Sequence, residues 1–325
     1  IDMFLDTSDG SSGSRDGRGK SSPTAVTFSL LCFTDDPTGI DSDVCCCSFP
    51  TDDVRVKRWS GWWLKCCLWA TSAQVEVDRA LREGGGGGDD VRGSWCVYID
   101  LDTVITGSMN IFKWNECQAS GSRSLLDPRC LYVLSADGIV NEKRACGLNS
   151  SIMMWYHDCS IAASTASSES TLADQSNFGF LYQFLLENYR DVNQCIYKFD
   201  HYLEMMLLSS SSGASTRYAH TLHRNMALHK FIQTEFPNKV ADFLSLEPRL
   251  CVHTVPPGTG TGTGKETKPA VHATARSTDI AYISEIRRAD LQRGGVAVVC
   301  FPLAPKPLEV RVACPWVDEY FRETR

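Results

Sequence analysis

The chain has 325 residues, 43% of them apolar, and a formal charge of −7. That length and apolar share support a real hydrophobic core, in one large or two ordinary domains. The acidic balance argues against a basic nucleic-acid surface, so an anionic ligand would have to be met by local Lys or Arg.

Residues 1–24 are rich in Ser, Gly, Asp and Arg and read as a disordered or remnant segment. A chain that opens on Ile1 rather than Met reads as incomplete at its N-terminus. Residues 25–33 give the first strand signal, which breaks at the turn sequence Thr34-Asp35-Asp36-Pro37-Thr38-Gly39. Residues 44–49 suit a short second strand. Trp59, Trp62, Cys66 and Trp69 then recur every three or four residues, the spacing of a helix with an apolar face. Lys65 is the one cation inside that stretch; taken alone it reads as a surface lysine laying its stem along apolar neighbours.

Five glycines, Gly84 to Gly88, read as a flexible linker rather than a phosphate loop, because no strand precedes them and no helix signal follows. Residues 96–99 come next, a short apolar run of the kind found in buried parallel strands. It breaks into Asp100-Leu101-Asp102, at the strand end where α/β sheets place their ligands. Alternation along an extended chain would turn both carboxylates one way and Leu101 back into the core. Two hard oxygen ligands on one side suit Mg²⁺ or Mn²⁺ carrying phosphates, whereas the plainer reading is a strand end with two solvated acids.

Residues 130–134 and 147–155 are further buried runs, and residues 178–188 form an amphipathic helix with Phe180, Leu181, Phe184 and Leu185 on one face. Residues 197–208 carry Asp200, His201 and Glu204 at helical spacing, for which a salt-bridged face is the bland account. His220, His223 and His229 do not share one helix face and read as a solvated segment. Residues 258–265 fail as a P-loop, since Thr259 stands where the first Gly is required and Glu266 where the hydroxyl belongs. A strand at 295–301, a rigid Pro-rich loop ending near Lys306, and a short helix at 315–321 close the chain. Fifteen cysteines without a C-x-x-C read as small buried residues in a reducing, cytoplasm-like compartment rather than as zinc ligands or a disulfide framework. No stretch is long and apolar enough to read as a transmembrane helix.

Taken in order, five segments resemble the little-characterised microbial branch of GT-A-type glycosyltransferases, related to the glycogenin-like and galactosyltransferase-like (family 8-like) group. They are residues 32–40, residues 61–65 with Lys65, residues 97–107 with the Asp-x-Asp, residues 149–155, and residues 301–307 with 315–317. The matches and their flanks cover about half the chain. The resemblance implies a GT-A-like α/β domain over residues 25–322, with a mixed, mainly parallel sheet flanked by helices. Residues 76–93, 159–176, 209–226 and 254–292 then read as insertions into surface loops.

The resemblance further implies a hexosyltransferase using a nucleotide-sugar donor, a UDP-sugar for preference, with an unknown acceptor, no nucleic acid, and Mn²⁺ or Mg²⁺ on Asp100 and Asp102. Thr34, Asp35 and Lys65 match positions near the donor, Asn149 and Ser150 the pair lining its sugar, Asp200 a sugar-facing acid, and Lys306 a lysine on the diphosphate. Asp174-Gln175 is a rival for the place of Asp200. Relatives carry a metal-binding His followed by Gly where this chain has Pro302 and Leu303, or Cys300 in a shifted alignment, and a His is common where Leu308 stands. Two other readings stand beside this one. A degenerate transferase fold would act as a binding module. A haloacid-dehalogenase-type phosphatase would use Asp100 as nucleophile and Asp102 as acid/base, in the D-x-D-x-[T/V] pattern of Asp100 to Val104.

Overall fold

The computed structural model describes residues 2–6, 28–84, 93–107, 126–139, 146–158, 178–208, 229–246, 295–302 and 305–320, together with residues 142, 144 and 291. The chain divides into two compact units: Ile1–Leu101, Lys113–Leu134 and Gly147–Phe231 form one, and Asp102–Phe112, Ser135–Cys146 and Ile232–Arg325 the other. Both combine sheet and helix, and both sheets are mixed.

The first unit is built on a sheet containing β1 (Asp2–Asp6), β2 (Phe28–Phe33), β3 (Cys45–Cys47), β4 (Ser94–Ile99), β6 (Leu131–Ser135), β7 (Leu148–His157) and β8 (His229–Phe231), in the order β3-β2-β1-β4-β7-β6-β8. β4 carries the sequence Ser-Trp-Cys-Val-Tyr-Ile, and all six residues are buried. A strand covered on both faces has no polar side to alternate with, which is why this stretch reads as a continuous apolar run. It is nevertheless antiparallel to both neighbours, Cys96 facing Leu5 of β1 and Trp155 of β7. Parallel pairing joins β2 to β3 and β6 to β8. The expected parallel setting of β4 is thus corrected: composition reports burial, whereas direction is set by distant partners.

Residues 1–24 read as structureless, yet Met3, Phe4 and Leu5 make a short apolar run and the structure places Asp2–Asp6 between β2 and β4. Residues 76–93 read as an insertion, but Thr71–Gly84 is a helix, α1, and its Ala73, Val77, Ala80 and Leu81 are buried. Those four follow the three-to-four spacing of a helix face, and each branched side chain so covered contributes roughly 1.5–3 kcal/mol. The expected insertions at 159–176 and 209–226, and all of 254–292 except Leu291, lie outside the described residues.

The Trp-rich stretch is a 3-10 helix, Gly61–Trp69. Its period is three rather than 3.6, so Trp63, Cys66 and Trp69 form the buried ridge and Trp62 points outward, 44% exposed. Trp69 packs edge-on against Trp155 of β7 at 5.9 Å and lies against Phe199 at 6.2 Å. Helix α2 (Gly179–Cys195) buries Leu181 and Leu185, with Phe180 and Phe184 half-buried beside them, as its spacing predicts. Helix α3 (Phe199–Leu208) buries Phe199, Tyr202, Leu203 and Leu207.

The second unit has a three-stranded sheet, β5 (Thr103–Ile105), β10 (Val298–Cys300) and β9 (Val240–Asp242), in the order β5-β10-β9. β10 runs antiparallel to β5 and parallel to β9. Its core stacks Phe243 on Phe301 at 4.3 Å and sets Trp316 against Phe243 at 6.1 Å. The short helices Pro307–Val310 and Pro315–Tyr320 add Val310, Trp316 and Val317. Of the described cysteines, Cys32, Cys47, Cys66, Cys67, Cys96, Cys130, Cys300 and Cys314 are buried, Cys45 and Cys46 are half-buried, and Cys146 and Cys195 are exposed. Among the described residues no helix is long and apolar enough to cross a membrane.

Candidate functional site

β4 ends at Ile99, and Tyr98 and Asp100, two residues apart on an extended chain, share a side. The Tyr98 hydroxyl donates to Asp100 Oδ1. Past Asp100 the chain turns, so strand alternation stops, and Leu101 is 66% exposed instead of facing the core as the strand pattern suggests.

Lys65 comes to Asp100 from the 3-10 helix. Its Nζ donates to Asp100 Oδ2 at 2.7 Å and to Ser150 Oγ at 3.1 Å, and lies 5.4 Å from the centre of the Tyr98 ring. The lysine and aspartate side chains are 13% and 20% exposed. Lys65 is therefore not the snorkelling surface lysine that the local sequence alone suggests. Ser150, on β7, donates from Oγ and from its backbone N to Asp200 Oδ1, at 2.6 and 2.9 Å. Asp200 sits in the first turn of α3, where a carboxylate is favoured by the helix dipole, and its Oδ2 is 3.2 Å from Lys198 Nζ.

Lys65, Asp100, Ser150 and Asp200, drawn from four distant segments, thus form one hydrogen-bonded chain. Two ammonium groups face two carboxylates in it, so the cluster as a whole is close to neutral. Tyr98 and Lys198 are members that sequence reasoning missed. Each was open to inference from its place beside a candidate acid, Tyr98 by strand alternation and Lys198 by its position just before α3.

Three other candidates in this unit are placed differently. Asn149 is buried, and its Oδ1 accepts from Ser151 N at 3.0 Å, a local strand contact. Thr34 uses its hydroxyl in a turn with Asp36, donating to the Asp36 carbonyl at 2.9 Å, and Asp35 is exposed. Among the described residues no recorded hydrogen bond or ion pair joins Thr34 or Asp35 to the Lys65 chain.

In the second unit, Asp102 precedes β5 and pairs through Oδ2 with Lys306 Nζ, which also donates to the Phe301 carbonyl at 2.8 Å. Lys306 is held at the head of the Pro307–Val310 helix, where its backbone N donates to Glu309 Oε2 at 2.8 Å. Asp102 Oδ1 and the neighbouring Thr103 Oγ1 are buried with no hydrogen-bond partner among the described residues. An orphaned carboxylate oxygen is costly, and a cation would relieve it.

This oxygen is the feature of the Asp-x-Asp that fits a hard divalent ion. Asp100 fits less well, because both of its oxygens already accept, from Tyr98 and Lys65. Among the described residues no group of three or more His, Cys, Asp or Glu side chains could hold a metal. Pro302 follows Phe301, and Leu303, Asp174, Gln175, His220 and His223 lie outside the described residues. His229, on β8, is half-buried, and that burial pushes its pKa down.

Comparison with known proteins finds no matching family model, no matching curated protein and no matching solved structure.

Proposed function

We propose that the protein is a glycosyltransferase-like protein that takes a nucleotide-diphosphate sugar, with Asp102 as the principal ligand of Mn²⁺ or Mg²⁺. The observation that carries the reading is the chain Lys65–Asp100–Ser150–Asp200. The resemblance singles out those four positions from the sequence, and they converge although up to 135 residues separate them, from 65 to 200.

In this reading the near-neutral chain, with its hydroxyl and its two carboxylates, has donors and acceptors of the kind that suit the hydroxyls of a sugar. Lys306 meets the diphosphate as a point charge, since lysine serves phosphate in this way. The orphaned Oδ1 of Asp102 supplies a hard ligand, and carboxylate is the donor type these ions prefer. A bound divalent ion would neutralise charge on the departing diphosphate, which is Lewis-acid assistance. Lys65 holds Asp100 in place through their ion pair, so that residue acts in support.

The test is Asp102→Asn, which keeps the shape and removes the charge. Metal-dependent binding of a UDP-hexose, followed by calorimetry, should weaken at least about tenfold, or about 1.4 kcal/mol. Unchanged affinity, or equal donor binding by the wild type in EDTA, removes the metal reading. One observation favours a second account, a degenerate transferase fold acting as a binding module: each carboxylate of the Asp-x-Asp already has a lysine partner. Donor binding that ignores metal, with no transfer or hydrolysis, would favour that account. A phosphatase reading is less favoured, because an Asp100 nucleophile needs an oxygen that is not held by Lys65 and Tyr98.

A further inference from the structure

Two aromatic side chains of the first unit are exposed and in contact with each other. Trp62 is 44% and Tyr197 77% exposed, and their ring centroids are 5.9 Å apart at an interplanar angle of 51°. The aromatic core of this unit is otherwise well covered: Trp63, Trp69, Trp155, Phe199 and Tyr202 are all buried. Leaving two large rings in water forfeits the burial that their area would yield, so the pair calls for a reason.

Their placement supplies one. In a 3-10 helix, residues three apart are eclipsed and about 6 Å apart along the axis, so Trp62 shares a ridge with Lys65. Tyr197 is the residue before Lys198, whose ammonium pairs with Asp200. The aromatic pair is therefore attached, from two separate segments, beside Lys65 and Lys198, the two ammonium groups of the cluster.

We infer that Trp62 and Tyr197 are a stacking platform for a neutral hexose ring of a glycan acceptor. This rests on the transferase reading above. The charge of the neighbouring cluster selects the occupant. Lys65 and Lys198 are each matched by a carboxylate, so there is no net field here to hold a polyanion. Paired carboxylates beside a hydroxyl instead suit a ligand that brings many hydroxyls and no charge. A pyranose ring has that chemistry, with an apolar C–H face to lie on a ring and hydroxyls at its rim. Trp and Tyr are suited to surfaces that are apolar at one end and wet at the other.

The experiment uses the full chain and four proteins: wild type, Trp62→Ala, Tyr197→Ala and Trp62→Phe. Binding of UDP-hexose, and of neutral gluco-, manno- and galacto-oligosaccharides at millimolar concentration, is followed by calorimetry and ligand-observed NMR. The expected result is that one oligosaccharide class binds the wild type. Trp62→Ala and Tyr197→Ala weaken it about tenfold or more, Trp62→Phe retains most of it, and UDP-hexose affinity stays unchanged in all three variants. Circular dichroism guards against loss of fold, which is not expected of two exposed side chains. If the donor binds but no oligosaccharide does, or if the alanine variants bind glycan as the wild type does, the platform is overturned and the donor reading stands. If the wild type does not bind the donor, the transferase reading fails and the acceptor assignment falls with it.

Discussion

Replacing Lys65 by Met keeps the aliphatic stem against Tyr98 and removes only the ammonium. Asp100 is then left with the Tyr98 hydroxyl as a donor, and Ser150 Oγ loses one. Removing one partner from a fully buried ion pair costs about 3–5 kcal/mol, because a charge is stranded. Here the side chains are 13% and 20% exposed and one donor to Asp100 survives, so water recovers part of that cost. The expected destabilisation is about 2 kcal/mol. For a unit of this size that lowers the melting temperature by about 4–8 °C. Asp100→Asn should cost somewhat less, because Lys65 keeps Ser150. The double variant should recover about 1–2 kcal/mol of the summed loss, the signature of a direct coupling. Urea unfolding at pH 7, followed by tryptophan fluorescence, measures all three. Single variants within about 0.5 kcal/mol of wild type, or a double variant equal to their sum, would refute the claim that this pair is a desolvated, mutually dependent contact.

Two further outcomes follow from local geometry, beside the Asp102→Asn result expected above. Gly93 has φ +153°, and a Cβ there would sit 2.6 Å from the His157 carbonyl oxygen, so Gly93→Ala should cost about 1–3 kcal/mol in the same assay; an unchanged midpoint would show that the β4 entry is looser than described. The Arg129 guanidinium beside Asp127 holds that carboxyl at about 2, below its ordinary range. Its contribution to stability is therefore complete above about pH 4 and lost as pH falls through about 2. Arg129→Gln should raise the Asp127 NMR titration midpoint, while the urea midpoint at pH 7 barely moves, because the pair is largely solvated.

What the sequence disclosed, and what it hid, divides along physical lines. β4, β7, α2 and β10 were legible because burial writes itself into local composition and spacing. The antiparallel setting of β4 was not, because it depends on residues 2–6 and 148–157. The Trp62/Trp63 exchange came from assuming a period of 3.6 where the backbone takes three. α1 carried its own helical spacing at Val77, Ala80 and Leu81, but the adjoining glycine run drew the whole stretch into a linker. At the candidate site, Lys65, Asp100, Ser150 and Asp200 were named from the sequence, and the structure links them. Thr34, Asp35 and Asn149 were also named, and the described contacts give them local turn or strand roles or leave them exposed.

The unequal burial of the cysteines has a practical consequence. A cysteine reacts as its thiolate, and only where reagent can reach it. Burial pushes the Cys67 thiol up to about 12 and Cys66 well above its ordinary value, and Cys96, Cys300 and Cys314 are equally shielded. Cys146 and Cys195 are open to solvent. A brief alkylation pulse on the native protein should therefore mark Cys146 and Cys195 ahead of Cys66, Cys67, Cys96, Cys300 and Cys314. Under increasing urea, Cys66, Cys67 and Cys96 time the opening of the first unit, and Cys300 and Cys314 that of the second. The chain thus carries two internal clocks, readable by mass spectrometry without an introduced label.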